Sequence, residues 1–389
     1  MTAPPLGVGW QLSTRTGWGN FGVNFACEAY RSGRVIPVFM LASSPSLDAL
    51  PEDQRRTLAP ILQASNQFLA AMSGHPGSAT VSFPVLAASN VDFVTQVARS
   101  STANHAMTFQ ETTVLSHRGL ERARSFDTIV AGSSWLGDVL RAYGLDNVKT
   151  VLQGIDPRRF RPNPDGHPRD GRFRIFSGGK MEYRKGQDIV IAAFRAFQRR
   201  HPDALLCFCW DNIYPGDSAT IARGGLVEAP PEVTEGTRDE VARWLSDNGL
   251  PADTFRNIGM VPNREMPDIL TTMDAAIFPN RCEGGTNLVA MEAMACGVPT
   301  ILSVNTGHRD LIADRNCYPL TRQGPVAWSP TDGTTRQWGE SSVDEVVETL
   351  EAIYRDRAEA RRRAARGAAT LAELTWQRQT VKLLDAIGC

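Results

Sequence analysis

Short apolar runs alternate with stretches of helical period through most of the chain. Continuous apolar runs bounded by turn residues read as buried parallel strands, and their alternation with helical patterns is the mark of βαβ units. A strand is predicted at 7–13 ("GVGWQLS") and a helix at 20–32. "FDTIVAG" (126–132) predicts a strand, 133–143 a helix and "NVKTVLQ" (147–153) another strand. The alternation then breaks at 162–171, where three prolines and two glycines mark a linker. Beyond it, strands are predicted at 172–177, 204–210, 255–258, 274–279 and 298–303. Helices are predicted at 186–200, 237–248, 265–272 and 287–296. Two α/β domains in succession, 1–160 and 161–370, are the simplest reading. Residues 211–236 lack a pattern, and an irregular segment of that length inside a compact domain is usually functional.

Composition narrows the function classes. The 389 residues carry 41 Lys and Arg against 42 Asp and Glu, a net charge of −1, so no global basic field points to nucleic acid. The arginine runs at 195–200 ("RAFQRR") and 355–367 ("RDRAEARRRAARG") read as solvated helix faces. Seven cysteines, an odd number without metal-ligand spacing, fit a reducing compartment, and Cys207 and Cys209 have the spacing of buried strand positions. The first residues, "MTAPPLGVGWQ", have neither the basic nor the apolar region of a signal peptide, and no apolar run reaches the ~18 residues of a spanning helix. The expected setting is the cytoplasm, free or peripherally attached at the inner membrane face.

Three stretches carry chemistry. "TRTGWGNFG" (14–22) holds a G-x-G-x-x-G at Gly17, Gly19 and Gly22, the spacing that brings backbone close to a pyrophosphate. The acidic ribose hook of a dinucleotide site is missing, since the first carboxylate after the next apolar run, "RVIPVFMLASS", is Asp48. Close helix-to-sheet packing explains the glycines equally well. In "DAAIFPNRCEGGTNLVAMEAMACGVPT" (274–300) a strand leads through a Gly-rich turn into a helix capped by Thr286 or Asn287. The free amides of such a helix start bind anions, and Glu283 and Glu292 flank them as acceptors for hydroxyls. "RIFSGGKMEYRKGQDIVIAAF" (174–194) places Lys180, Arg184 and Lys185 at the end of a strand, where open α/β sheets bind ligands. Nothing in the sequence gives Lys185 a packing role, so its removal is expected to spare the fold.

In order along the chain, "FDTIVAGSSWLGDVL", "VLQGIDPRRFRP", "SGGKMEYRKG", "NIGMVP", the 274–300 stretch and "LTWQRQ" resemble the retaining, nucleotide-sugar-dependent glycosyltransferases of the GT-B fold, group 1 type. The resemblance covers nearly the whole chain and is strongest over 126–310. It implies two Rossmann-like domains facing each other across a cleft, the first for an acceptor and the second for a nucleotide sugar. A C-terminal helix at 371–389 would return to the first domain. Carried over residue by residue, Lys180 and Lys185 contact the donor diphosphate, Glu292 the ribose and Glu283 the sugar hydroxyls. Amides of Thr286, Asn287 and Leu288 meet the phosphates, the Met260 region meets the base, and Gly179, Gly284 and Gly285 allow close approach. Gly19 in the first glycine-rich turn would let backbone near the donor phosphate or the acceptor, with Trp18 and Asn20 lining the cleft.

Three departures from the family pattern bear on these roles. Eight residues separate Glu283 from Glu292 where seven are usual, Lys180 stands where arginine is commoner, and Gln110 and Glu111 in "TFQET" replace a strand-end His-Asp. His105, earlier in that strand, reads as structural. The resemblance implies sugar transfer from a nucleoside diphosphate sugar to a glycan, lipid-linked sugar or protein acceptor with retention of configuration. No cofactor beyond the substrate is implied, and no D-x-D metal hook occurs in the sequence. A non-catalytic sugar-nucleotide-binding subunit and a nucleotide-sugar 2-epimerase are the alternatives.

Overall fold

A computed structural model describes residues 3–14, 16–43, 49–72, 80–163, 166, 168, 170–212, 214–231, 238–330 and 333–389. Asp48, residues 164, 165, 167 and 169 of the predicted linker, and residues 213 and 232–236 of the long irregular segment lie outside the described residues. The chain forms two compact units, residues 1–154 with 262–264 and 374–389, and residues 155–261 with 265–373.

The first unit is built on strands β1 (Pro5–Gly9), β2 (Ile36–Phe39), β3 (Thr80–Val81), β4 (Val85–Ser89), β5 (Arg99–Ser100), β6 (Asn104–Thr108), β7 (Thr128–Ala131) and β8 (Val148–Thr150). Six of them form one parallel sheet in the order β2-β1-β4-β6-β7-β8, and β3 pairs with β5. Helices α1 (Gly17–Arg31), α2 (Glu52–Ala71), α3 (His117–Arg124) and α4 (Ser134–Ala142) connect the strands.

The second unit repeats the plan with β9 (Phe173–Lys180), β10 (Ala204–Asp211), β11 (Phe255–Asn257), β12 (Ala275–Phe278), β13 (Thr300–Ser303) and β14 (Tyr318–Leu320). Their order, β11-β10-β9-β12-β13-β14, is all parallel. This is the doubly wound order 3-2-1-4-5-6, whose reversal between its first and fourth strands opens a crevice at the strand ends. A short antiparallel pair, β15 (Gln323–Gly324) and β16 (Glu340–Ser341), follows. The helices here are α5 (Gln187–Gln198), α6 (Pro215–Ser218), α7 (Arg238–Asp247), α8 (Met266–Leu270), α9 (Leu288–Ala295), α10 (Val343–Arg355) and α11 (Arg357–Glu373). Ile175, Leu206, Phe208, Ile277 and Ile301 from the sheet pack with Ile189, Phe194 and Phe197 of α5 in one buried core. The chain ends in α12 (Trp376–Ala386), which belongs to the first unit, its Trp376 ring 5.8 Å from that of Phe21.

The predicted strands and helices are present within a few residues of their expected bounds, with three corrections. β1 stops at Gly9, where the apolar pattern suggested continuation to residue 13. The segment after Asp211 is partly ordered, as α6 and a 3-10 turn over Ala219–Gly224. Cys207 is buried as expected, but Cys209 is only half-buried.

The glycine motif also lies differently, inside α1 and not before it. Thr16 caps the helix, its Oγ1 accepting from Gly19 N at 3.0 Å. A methyl group at Gly19 would overlap Ser13, and one at Gly22 would stand 2.5 Å from Trp10 Nε1. The motif lets α1 press onto the 10–13 segment, and Trp10 then joins Trp18, Phe21 and Phe25 with ring centroids 5.8–5.9 Å away. Trp18 lies edge-on to Phe109 at 4.7 Å, and Asn20 Oδ1 accepts from Asn24 Nδ2 at 3.0 Å.

These contacts separate two glycines that the motif treats alike. Gly17 has nothing near its missing methyl, so Gly17→Ala should be neutral or stabilise by up to about 1 kcal/mol through helix propensity. Gly19→Ala should destabilise by about 1–2 kcal/mol, because overpacking outweighs that gain. Urea unfolding of the two variants checks this, and equal stabilities would show that close packing does not require Gly19.

Candidate functional site

The site lies where the second sheet reverses, between the ends of β9 and β12. β9 runs out at Lys180, and Tyr183–Lys185 form a single 3-10 turn. Gly186 ends that turn at φ 72°, a left-handed conformation, and a methyl there would meet Pro279 O at 2.7 Å. Only glycine satisfies both conditions cheaply. The turn therefore tucks under the end of β12, bringing Arg184 and Lys185 onto the residues that follow it.

Glu283 is the centre of that contact. Its side chain is 7% exposed, with Lys185 Nζ 2.6 Å from Oε1 and Arg184 Nη1 3.1 Å from Oε2. Asn280 Nδ2 also donates to Oε1. Burial works to raise the Glu283 pKa, but Lys185 and Arg184 outweigh it and hold the carboxyl at about 2. Arg184 bonds in addition to Glu182 and to Cys282 O. The Glu283 carboxylate is thus engaged by cations. One expectation is corrected here: Lys185 is the counter-ion of a buried charge, so its loss must affect stability. The sequence could not show either, because the partners are 98 residues apart.

Lys180 has different partners. Its Nζ is 2.6 Å from Asp217 Oδ2 and 3.4 Å from Glu182 Oε2. Burial opposes its charge, but Glu182 and Asp217 prevail and raise its pKa.

A second buried charge braces the same turn. Arg281 is fully buried, its guanidinium donating to Asp188 Oδ1 and Oδ2 at 2.8 and 2.7 Å, to Glu340 Oε2 at 2.9 Å and to Tyr183 O at 2.7 Å. It also lies 3.9 Å over the Tyr183 ring. Arg281 N donates to Arg184 O at 2.7 Å, which fixes the two turns in register. Sequence reasoning missed Arg281, Asp188 and Glu340. The one signal was an arginine among the small and apolar residues of 275–282.

Asn287, at φ 63°, caps α9, its Oδ1 accepting from Ala290 N at 3.4 Å. Its Nδ2 faces His308 Nε2 at 3.0 Å, while His308 Nδ1 faces Ser303 Oγ at 2.9 Å. Ser303 Oγ donates to Asn280 O at 2.7 Å, so it accepts from Nδ1–H and the imidazole is neutral. Burial lowers the His308 pKa to about 4, in keeping with that tautomer. The polar chain Asn287–His308–Ser303–Asn280 thus joins the start of α9 to the Glu283 carboxylate.

The remaining predicted residues are distributed as follows. Gly284, Gly285, Thr286 and Leu288 are buried in the turn into α9, with Thr286 Oγ1 3.0 Å from Met291 Sδ, and Glu292 is buried one turn along the helix. Gly179 is in β9 at φ 131°, two residues before Met181 turns inward. Met260 is 39% exposed in the loop after β11. In the first unit Gln110 follows β6, 4% exposed, with neither amide atom hydrogen-bonded, and Glu111 beside it is half-exposed. His105 is buried in β6, as read from the sequence, and burial lowers its pKa. Among the described residues, no group of three or more His, Cys, Asp or Glu is placed to hold a metal ion, and no helix is long and apolar enough to cross a membrane.

The Lys185–Glu283 pair makes stability depend on pH in a stated direction. The folded carboxyl, at about 2, binds protons less readily than the unfolded one near 4.5. Its contribution is therefore complete above pH 4.5 and is lost as pH falls towards 2, and the shift corresponds to about 3 kcal/mol. Lys185→Met should be less stable than wild type by about 2–3 kcal/mol at pH 7, Arg184 and Asn280 remaining as partners. Urea unfolding from pH 7 downward should show the gap closing below pH 4.5. A gap independent of pH would mean that the lysine stabilises only by packing.

Comparison with known proteins places this geometry. The family described as glycosyl transferases group 1 matches residues 161–369. The glycogen synthase of Mycobacterium tuberculosis is 28% identical over 186 residues, 46% of this chain and 38% of that protein. The mannosylfructose-phosphate synthase of Agrobacterium fabrum is 28% identical over 194 residues, 47% of this chain and 39% of its own. The matched region thus spans only 38–39% of the length of these relatives. Among solved structures, the sucrose-phosphate synthase of Thermosynechococcus elongatus superposes with a TM-score of 0.65 at 14% identity, covering 98% of both chains. Anabaena Alr3699/HepE in complex with UDP gives 0.64 at 12% identity over 99% of both. Identities this low establish the fold, the GT-B arrangement of two Rossmann-like domains. The chain belongs to the group 1 glycosyl transferase family.

Proposed function

We propose that this protein transfers a sugar from a nucleoside diphosphate sugar to an acceptor hydroxyl, with retention of configuration and without a metal ion. The observation that carries this reading is the gathering of Lys180, Arg184 and Lys185 at the sheet reversal of the second unit. A diphosphate leaving group gains negative charge as the sugar bond breaks, and fixed cations stabilise that charge most in the transition state. Helix amides at Thr286, Asn287 and Leu288 would add to this stabilisation.

The second unit then takes the donor. Glu292 bonds the ribose, the Met260 loop borders the base, and Gly179, Gly284 and Gly285 leave room for the phosphates. Glu283 has a double role in this reading. It holds Lys185 and Arg184 in place before the donor arrives, and its carboxylate becomes available to the sugar as the phosphates draw the cations away. The acceptor is a glycan, a lipid-linked sugar or a protein, and the first unit takes it. There the buried, unbonded Gln110 amide offers its NH2 donors and its carbonyl acceptor to a hydroxyl, with Glu111 beside it. The acceptor oxygen attacks the anomeric carbon on the face that the phosphate leaves. The C–O bond to phosphate breaks with its electron pair going to the phosphate oxygen, which receives the acceptor proton. No side-chain nucleophile is needed. A cytoplasmic location, free or peripheral at the inner membrane face, completes the proposal.

A panel of uridine, guanosine and adenosine diphosphate sugars in excess EDTA tests it. One donor should raise the melting temperature, a ligand at a hundred times its Kd adding about 2.7 kcal/mol. The same donor should release its nucleoside diphosphate when an acceptor is supplied. Release that requires added Mg²⁺ or Mn²⁺ would overturn the metal-free mechanism, and a changed sugar nucleotide without any acceptor would identify an epimerase.

A further inference from the structure

Glu283 and Asp217 both neutralise cations of the site, but from different positions. The Lys185–Glu283 pair is nearly closed to solvent, at 13% and 7% exposure, and a polar chain backs it. The Lys180–Asp217 pair is 38% and 45% exposed. Asp217 ends no sheet strand and belongs to α6, in the segment between Asp211 and α7. Tyr214, from the same segment, lies with its ring 5.3 Å from Lys180 Nζ.

The segment keeps its place without this ion pair. Asn212 Nδ2 donates to Met181 O at 2.7 Å, and Tyr214 N donates to Asn212 Oδ1 at 2.8 Å. Tyr183 N donates to Thr220 Oγ1 at 3.0 Å, and Thr220 Oγ1 donates to Asp217 O at 2.5 Å. Gly224 packs so closely on the buried Asp188 that a methyl there would overlap its carboxylate. The Asp217 side chain is therefore a single, solvent-facing contact added to an already anchored strap. Exposed ion pairs of this kind are weak and exchange readily for a better anion. A diphosphate, with several charged oxygens, is such an anion.

We propose that Asp217 competes with the donor diphosphate for Lys180 and so sets the affinity of the site for nucleotide. This rests on the donor reading given above. On binding, the Lys180 ammonium exchanges the Asp217 carboxylate oxygen for a phosphate oxygen, with no covalent change, and the strap loses its ion pair with the end of β9. A competitor that must be displaced weakens product as well as donor, since both carry the diphosphate, and so favours release of the nucleoside diphosphate after transfer.

A double-mutant cycle read by calorimetry at low ionic strength, with UDP, GDP and ADP as probes, tests this. Wild type, Asp217→Asn, Lys180→Met and the double variant are compared, with thermal melts to confirm folding and Asp217→Ser as a second replacement. Asp217→Asn should bind the preferred nucleotide roughly three- to fivefold tighter, the size an exposed pair supports. In the Lys180→Met background the same replacement should change Kd little. Unchanged or weaker binding by Asp217→Asn, where wild type does bind, overturns the competition and leaves the donor reading intact. An equal gain in both backgrounds also overturns it, because it would come from general charge repulsion. Failure of wild type and variants to bind any of the three nucleotides removes the donor reading, and the competition with it.

Discussion

Glu283 and Arg281 are buried two residues apart in one turn, and neither charge could be carried there alone, since an unpaired ion in a protein interior costs several kcal/mol. Arg281 takes its counter-ions from Asp188 and Glu340, and both buried charges also bond to the same short segment. Arg184 and Lys185 face Glu283, and Tyr183 gives Arg281 its carbonyl and its ring. The turn after β9 and the turn after β12 therefore have one low-energy register. What stands at the crevice of the second sheet, including the start of α9 and the approach to Lys180, inherits its position from this lock.

The doubly wound order explains why the lock sits where it does. β9 and β12 are neighbours whose connections leave to opposite sides of the sheet, so no crossover helix fills the space beyond their ends. Side chains that reach into that space meet charge or water, and the sequence has supplied complementary charge. The polar chain from Asn287 through His308 to Asn280 extends the same logic away from the ions. A neutral imidazole with both nitrogens bonded transmits a fixed geometry without adding a further buried charge.

Much of the strand and helix order was legible because parallel strands covered on both faces make uninterrupted apolar runs, as in "RIFSGG" and "AAIFPN". α2 was not, since Pro51 at its cap and Pro60 inside it interrupt the helical pattern. The charged residues of the site were legible as a set but not as pairs. Spacing could place Lys180, Lys185 and Glu283 at strand ends, yet nothing local indicates that Lys185 and Glu283 meet or that Asp217 reaches Lys180. The glycine motif shows the limit most clearly. Its letters fit a phosphate turn, while Gly19 and Gly22 are explained by the volume of Ser13 and Trp10.

The position of α12 has a consequence for how this chain can be divided. The helix is last in sequence, yet Trp376 packs on Phe21 of α1, and a methyl at Gly154 would meet the Trp376 backbone at 2.6 Å. The aromatic cluster of the first unit is thus closed by residues that the chain reaches only after the whole second unit. Cutting at residue 154 leaves a fragment with an open apolar seam, and cutting after residue 373 opens the same seam from the other side. In sequence the second unit is an insertion between residues 154 and 374 of the first, which itself takes back residues 262–264.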